Sequence, residues 1–431
     1  MPSTAISSVP YSGILQSNPL SAPLKYVVID GVRQINPAYK EFQKSQGISV
    51  SSLNDKALPI VSTMEDHQQL REASKAAGQG DVPLAKSTDA TIDMMQEQDI
   101  SRAVGLSPDA IIDELGAIFA KYEVPIGLMN KLFGLTEYQR LEFIIDDSGS
   151  MNEMSDATNS RGQRQTRWEE AKDRMKILIE IMAYVPTPQI KICFLNRPET
   201  ILLQRNGETP TRFIENAHQL VDGAFSNLPR GGTPILNCLR RSFQQSQGQK
   251  VARYLFCDGV PDGGVINQKE IANLLATRPD AQGNPFTFLS CSDRDDEVRW
   301  MKEVEEVVPY CSELDDYKAE GMEVRGDQGD VFPFSKGFYL ISQLVGAMNP
   351  DDLDAMDESV PFTKETLDNL LGVKNSEQDY RRYFDGFVEA QRKRSSENRL
   401  DQIKKRQNWE PHFRDFVTTP LAKNIQAVKT I

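Results

Sequence analysis

Asp146, Ser148 and Ser150 stand two apart in the stretch LEFIIDDSGSM, residues 141–151, and each carries oxygen on a short side chain. One carboxylate and two hydroxyls on alternate residues of one loop are hard donors, the kind a small divalent cation takes. Gly149 lets the backbone fold tightly between the two serines. A second stretch, RGGTPILNCL (230–239), sets Thr233 after two glycines. A third, VARYLFCDG (251–259), ends in Asp258 followed by Gly259. Each has an ordinary explanation on its own. Asp, Ser and Gly are common where a strand exits into a loop. Thr233 and Pro234 have the form of an N-cap and first residue of a helix, and Asp258 has the form of a turn aspartate.

The elements that must carry these residues follow from apolar patterning. Leu141 and Phe143–Ile145 form a short apolar run closed by turn-formers, which predicts a buried strand over 141–145 in a mostly parallel sheet. The apolar run that ends in Asp258 predicts another. Asp146 and Asp258 then both lie at strand C-termini, the end at which open α/β sheets bind ligands. Residues 151–166 are polar and read as an unstructured loop. Thr166 and Glu169 form a capping box for a helix that buries Trp168, Ala171, Met175, Leu178 and Met182.

Further along, KICFLN (191–196) reads as a strand, TILLQ (200–204) as a short edge strand and 211–222 as a helix. Ile235, Leu236, Leu239 and Phe243 give the helix after Thr233 an apolar face. Ile271, Leu274 and Leu275 mark another helix, FTFLSC (286–291) a strand, and Val298, Met301, Val304 and Val307 a helix. VVPYC (307–311) reads as the last strand, and Phe338, Leu340, Ile341, Leu344 and Val345 as a closing helix. Strands alternating with helices imply an α/β fold with a doubly wound, mostly parallel sheet.

The flanks divide by composition. Residues 1–100 are rich in Ser, Pro, Gln and Lys with little periodicity, which reads as a largely disordered arm; only Tyr26–Ile29 is strand-like. Within 101–140 a helix opening at Ser107 and Pro108 carries Ile111, Ile112, Leu115, Ile118 and Phe119. A second, restarted by Pro125, carries Ile126, Met129, Leu132 and Phe133. This pair is expected to pack on the domain at 141–350. The tail, 351–431, starts acidic and then sets Tyr380, Tyr383, Phe384, Phe387 and Val388 at helical spacing. From 374 onward it holds 13 Lys/Arg against 8 Asp/Glu. A solvated helix packed through its first half explains this, and contact of the basic half with an anionic membrane or RNA is the sharper alternative.

DxSxS after one strand, GGTP before a helix and DG after a later strand, in that order, resemble the metal-ion-dependent adhesion site (MIDAS) of the von Willebrand factor A (VWA) domain family. The resemblance covers about half of the chain and maps onto Asp146, Ser148, Ser150, Thr233 and Asp258. It implies a VWA, Rossmann-like domain with helical N- and C-terminal extensions. It also implies that the serine hydroxyls bind the cation directly, that the threonine does so in the ligand-bound form, and that the aspartates act mainly through waters. One coordination position is then left for an acidic group of a partner.

The net charge of −13 over 431 residues argues against wholesale nucleic-acid binding. Cys193, Cys238, Cys257, Cys291 and Cys311 are odd in number and contain no CxxC pair, so they read as small buried thiols. The first residues lack a basic start and a long apolar core, and no run is long enough to span a bilayer, which predicts an intracellular, cytoplasmic protein. His67, His218 and His412 sit in no triad setting, and there is no GxSxG elbow or Walker A loop, so an enzyme is not expected.

The expected function is a metal-dependent protein–protein interaction module. It would hold Mg2+ (Mn2+ or Ca2+ would suit the same donors) and capture an Asp or Glu of a partner protein. An adaptor subunit of a multi-component ATPase machine is the alternative, and an enzyme with an unrecognised catalytic extension a distant third. Arg161, Arg164 and Arg167 are expected to draw an acidic partner toward the metal, with Glu153 and Asp156 able to fill the open position.

Overall fold

The computed structural model describes residues 26–29, 32–35 and 108–394, the last without 126, 159–161, 187–188, 293, 306–307, 349–352, 354–355, 357–360 and 363. The expectations for most of the N-terminal arm, and for the basic tail beyond 394, lie outside these residues. In the arm, β1 (Tyr26–Ile29) pairs antiparallel with β2 (Val32–Ile35).

The apolar runs form a six-stranded sheet. Its strands are β3 (Arg140–Ile145), β6 (Ile190–Phe194), β7 (Thr200–Leu203), β8 (Val251–Cys257), β9 (Phe286–Ser290) and β10 (Cys311–Leu314). A separate two-stranded ribbon joins β4 (Met154–Thr158) to β5 (Arg164–Thr166). The sheet runs β10-β9-β8-β3-β6-β7. Every pairing is parallel except β6 with β7, so β7 is the antiparallel edge. The protein is thus mixed α/β with a mostly parallel sheet, in a strand order compatible with a Rossmann-like fold.

Eleven α-helices surround it among the described residues. They are α1 (Pro108–Tyr122), α2 (Gly127–Phe133), α3 (Arg167–Met182), α4 (Pro210–Phe225), α5 (Ile235–Gln245) and α6 (Gly264–Ala276). Then follow α7 (Asp295–Glu305), α8 (Tyr317–Gln328), α9 (Lys336–Val345), α10 (Lys364–Leu371) and α11 (Glu377–Arg394). None is long and apolar enough to cross a membrane.

Alternation along the central strands separates two cores. Leu141, Phe143 and Ile145 of β3 and Ala252, Tyr254 and Phe256 of β8 face the larger one, with buried residues of α1–α4 and α9. Ile144, Leu255 and Cys257 face the smaller one, with α5, α6 and α7. Successive strand residues point to opposite faces, and a sheet covered on both faces reads as a near-continuous apolar run. Leu115, Leu128 and Leu132 before the sheet, and Leu367, Tyr380 and Tyr383 after it, belong to the larger core. The helical flanks therefore share one core with the sheet. Of the predicted tail face, Tyr380, Tyr383, Phe384, Phe387 and Val388 are all buried. All five cysteines are free thiols, four buried and Cys193 half-buried.

Two predicted elements differ. Residues 151–166 are not an unstructured loop: β4 and β5 pair there, Met154 opposite Thr166 and Thr158 opposite Arg164. The pairing satisfies polar groups locally. Ser155 Oγ donates to the Gln165 carbonyl, and Gln165 Nε2 to Asp173. The last strand is Cys311–Leu314, not 307–311. Val308 N donates to the Val304 carbonyl, and Tyr310 turns with φ +53° before the strand begins. Val307 lies outside the described residues.

Candidate metal centre

In the sheet order, the chain leaves β3 toward β6 on one side and later returns to β8 on the other. That reversal leaves a crevice outside the C-terminal ends of β3 and β8. Asp146 follows β3, Asp258 follows β8, and Asp146 N donates to the Phe256 carbonyl at 2.9 Å.

Four of the five predicted residues, all but Thr233, are joined in one hydrogen-bonded chain. Ser148 N donates to Asp146 Oδ1 at 2.8 Å, Ser148 Oγ lies 3.0 Å from Ser150 Oγ, and Ser150 Oγ donates to Asp258 Oδ1 at 2.9 Å. Neighbouring oxygens in an octahedron of 2.1 Å bonds are about 3.0 Å apart, so the donor set suits Mg2+ in chemistry and in spacing. Asp146, Ser148 and Asp258 are buried, while Ser150 is half-buried and Gly149 exposed at the mouth. Asp146 thus sits at the floor of the crevice.

Thr233 arrives on a third segment. Arg230 N donates to the Asp147 carbonyl at 2.7 Å and Gly149 N to the Gly231 carbonyl at 3.2 Å, which ties this segment to the serine loop. Thr233 is not the helix cap that the sequence predicts. The cap position of α5 is Pro234, with no side-chain cap bond. Thr233 is instead held through its backbone, its N–H donating to Asp262 Oδ1 at 2.9 Å and its carbonyl accepting from Asp262 N at 3.0 Å. Its hydroxyl makes no hydrogen bond among the described residues. No group of three or more His, Cys, Asp or Glu among the described residues could hold a metal; the oxygen set described above has two carboxylates and three hydroxyls.

The electrostatics follow from burying two acids together. Burial, then repulsion from Asp258, pushes the Asp146 carboxyl up to about 7, against hydrogen bonds from Ser148 and Cys257. Cys257 Sγ lies 3.2 Å from Asp146 Oδ2, and its thiol is held well above the ordinary value by burial and by both carboxylates. Burial also raises Asp258, opposed by Arg167 and Ser150.

A pH prediction follows. The Asp146 carboxyl ionises near 4 in the unfolded chain but keeps its proton to about 7 in the fold. The folded state therefore binds more protons between those values, and stability falls as pH rises through that window. In EDTA, Asp146→Asn is expected to be more stable than the parent at pH 8, by up to roughly 4 kcal/mol. The gap should close toward pH 4. Chemical denaturation at both pH values checks this, and an equal gap at each would refute it.

Two basic residues predicted to attract a partner are engaged internally. Arg167 is buried and donates to Asp258 Oδ2 at 2.8 Å, Ser292 Oγ at 3.0 Å and Glu297 Oε2 at 3.2 Å. Arg164 Nη2 donates to the Ser155 carbonyl at 3.2 Å. Glu153 pairs with Arg294 at 3.2 Å, and Arg161 and the Asp156 side chain lie outside the description. Asp147, Asn196, Arg197 and Asp262 also shape the site and were not singled out from sequence. The available signals were the doubled aspartate at 146–147 and Asn196 at the end of a predicted strand.

No family model matches this chain, and no curated protein matches it. Among solved structures, an aspartate-to-alanine mutant of the PilB minor pilin from Streptococcus sanguinis is similar at 12% identity, over 50% of this chain and 62% of that chain, with a TM-score of 0.33. Another structure of that pilin gives 13% identity, 43% and 59% coverage and a TM-score of 0.31. An uncharacterized membrane spanning protein from Vibrio fischeri gives 19% identity, 35% and 70% coverage and a TM-score of 0.19. The chain spans about three fifths of the length of the two pilin chains.

Proposed function

We propose that this chain is a metal-dependent interaction module of the VWA type, which holds Mg2+ in the crevice and uses it to capture an Asp or Glu of a partner protein. The observation that carries this reading is the continuous hydrogen-bonded chain from Asp146 through Ser148 and Ser150 to Asp258, drawn from two segments more than a hundred residues apart. Ser148 and Ser150 would hold the ion with Thr233, and Asp146 and Asp258 would balance its charge. Bound Mg2+ would supply a Lewis-acidic position for a partner carboxylate.

The chain's own residues explain why such a site would be selective. Neutral hydroxyls leave the ion under-neutralised, so an incoming carboxylate gains more than water does. Exposed Gly149, Gly231 and Gly232 at the mouth carry no side chain that would obstruct a partner's backbone. Affinity capture from a lysate in Mg2+ and in EDTA tests the reading. Proteins retained in Mg2+ and released by EDTA from the parent, but not retained by Thr233→Ala, are the expected result. Retention indifferent to EDTA would overturn it.

A further inference from the structure

Asp147 and Asn196 supply no oxygen to the chain that runs from Asp146 to Asp258, yet they tie the serine loop to the Gly231–Thr233 segment. The Asp147 carboxylate is buried and fully engaged. Oδ1 accepts from Asn196 N at 2.8 Å and from Asn196 Nδ2 at 3.1 Å, and Oδ2 accepts from Arg197 Nε at 2.9 Å. Asn196 Nδ2 also donates to the Gly232 carbonyl at 2.8 Å. Arg197 is fixed in turn by a bond to the Ala224 carbonyl at 3.0 Å and by stacking on Phe194, 3.9 Å from the ring centroid. The backbone of Gly231 favours glycine, and Asn196 approaches it closely. Gly231 has φ +109°, and a Cβ there would meet Asn196 Oδ1 at 2.7 Å. Asp262 holds the far side of the same segment through the Thr233 backbone.

We propose that Asp147 and Asn196 form a positioning clamp that sets the cation affinity of the site by holding Gly231–Thr233 against the serine loop. This rests on the cation-binding reading above. The clamp acts through placement: one side chain, Asn196, bonds to both segments, so the backbone that carries Thr233 is tied to the serine loop before an ion arrives. Partners that orient metal ligands without touching the metal typically change affinity ten- to hundredfold when removed.

Mg2+ titration calorimetry on the full chain tests this, with Asn196→Ala, Asp147→Asn, Thr233→Ala and the Asn196→Ala/Thr233→Ala double variant, beside melting curves in EDTA. Asn196→Ala is expected to weaken Mg2+ by about ten- to hundredfold. Asp147→Asn, which keeps one carbonyl acceptor for Asn196, should lose less. The double variant should bind no more weakly than the worse single variant, since residues acting through one another are not additive. A merely structural role would lower the melting temperature and leave Mg2+ affinity unchanged well below the transition. If the parent binds Mg2+ and both clamp variants bind it within twofold of the parent, or if the losses add in the double variant, the clamp is wrong while the cation reading stands. If Asn196→Ala does not fold, Asp147→Asn decides. A parent that binds no Mg2+ overturns the cation reading and the clamp with it.

Discussion

Asp146→Ala is expected to abolish Mg2+ binding while the chain stays folded. The side chain is fully buried at the crevice floor, where it accepts from Ser148 N at 2.8 Å and from Cys257 Sγ at 3.2 Å. Losing the carboxylate orphans two donors, which costs roughly 1–3 kcal/mol for each. It also removes a carboxyl whose charged form burial and Asp258 both oppose. These effects have opposite signs near neutral pH, so the net change in stability is small compared with the loss of binding. The site keeps its hydroxyls but loses half of its negative charge, and a doubly charged ion taken out of water needs that charge. Calorimetry should give a Mg2+ isotherm for the parent and none for the variant at matched concentrations, with unchanged far-UV circular dichroism. Equal Mg2+ affinities would sink the assignment of Asp146.

Arg167→Ala is expected to have the largest effect on stability. The guanidinium is 3% exposed and bridges Asp258 at 2.8 Å to Glu297 at 3.2 Å, with Ser292 between them. Its desolvation is balanced by these carboxylates, which hold it charged. Removing it leaves a buried Asp258 facing Asp146 and Glu297 with no cation among them. Breaking a buried pair in this way costs about 3–5 kcal/mol, more than a surface pair of the same geometry contributes. Arg167→Lys should fall between, because an ammonium cannot span Asp258, Ser292 and Glu297 as the planar fork does. Mg2+ should recover part of the loss, since binding to the folded state alone stabilises by mass action. Urea denaturation in EDTA and in Mg2+ measures both. A loss below about 1 kcal/mol in EDTA would place this pair with weak surface pairs and refute the account.

The sequence by itself determined the α/β class, five of the six strands of the main sheet and the strand ends at which Asp146 and Asp258 stand. Residues 141–145 and 251–257 are legible because strands buried on both faces must be apolar at almost every position, and Asp146 and Asp258 mark where those runs stop. The capping box at Thr166 and Glu169 is legible because both of its bonds are local, at 3.2 and 2.9 Å.

The hairpin at 154–166 is not legible, because its polar strands give no apolar alternation and are held by cross-strand bonds and by α3. Thr233 carries the pattern of a helix cap, but a contact with Asp262, far along the chain, takes its backbone, and its hydroxyl caps no helix. Arg167 looks like a surface charge at the start of a helix; only the fold brings Asp258 and Glu297 around it. Spacing along the chain shows where oxygen-bearing side chains cluster at the ends of strands. Which of them are spent on one another, as Asp147 is on Asn196 and Arg197, is decided by strand order and loop packing, because those bonds join segments that are distant in sequence.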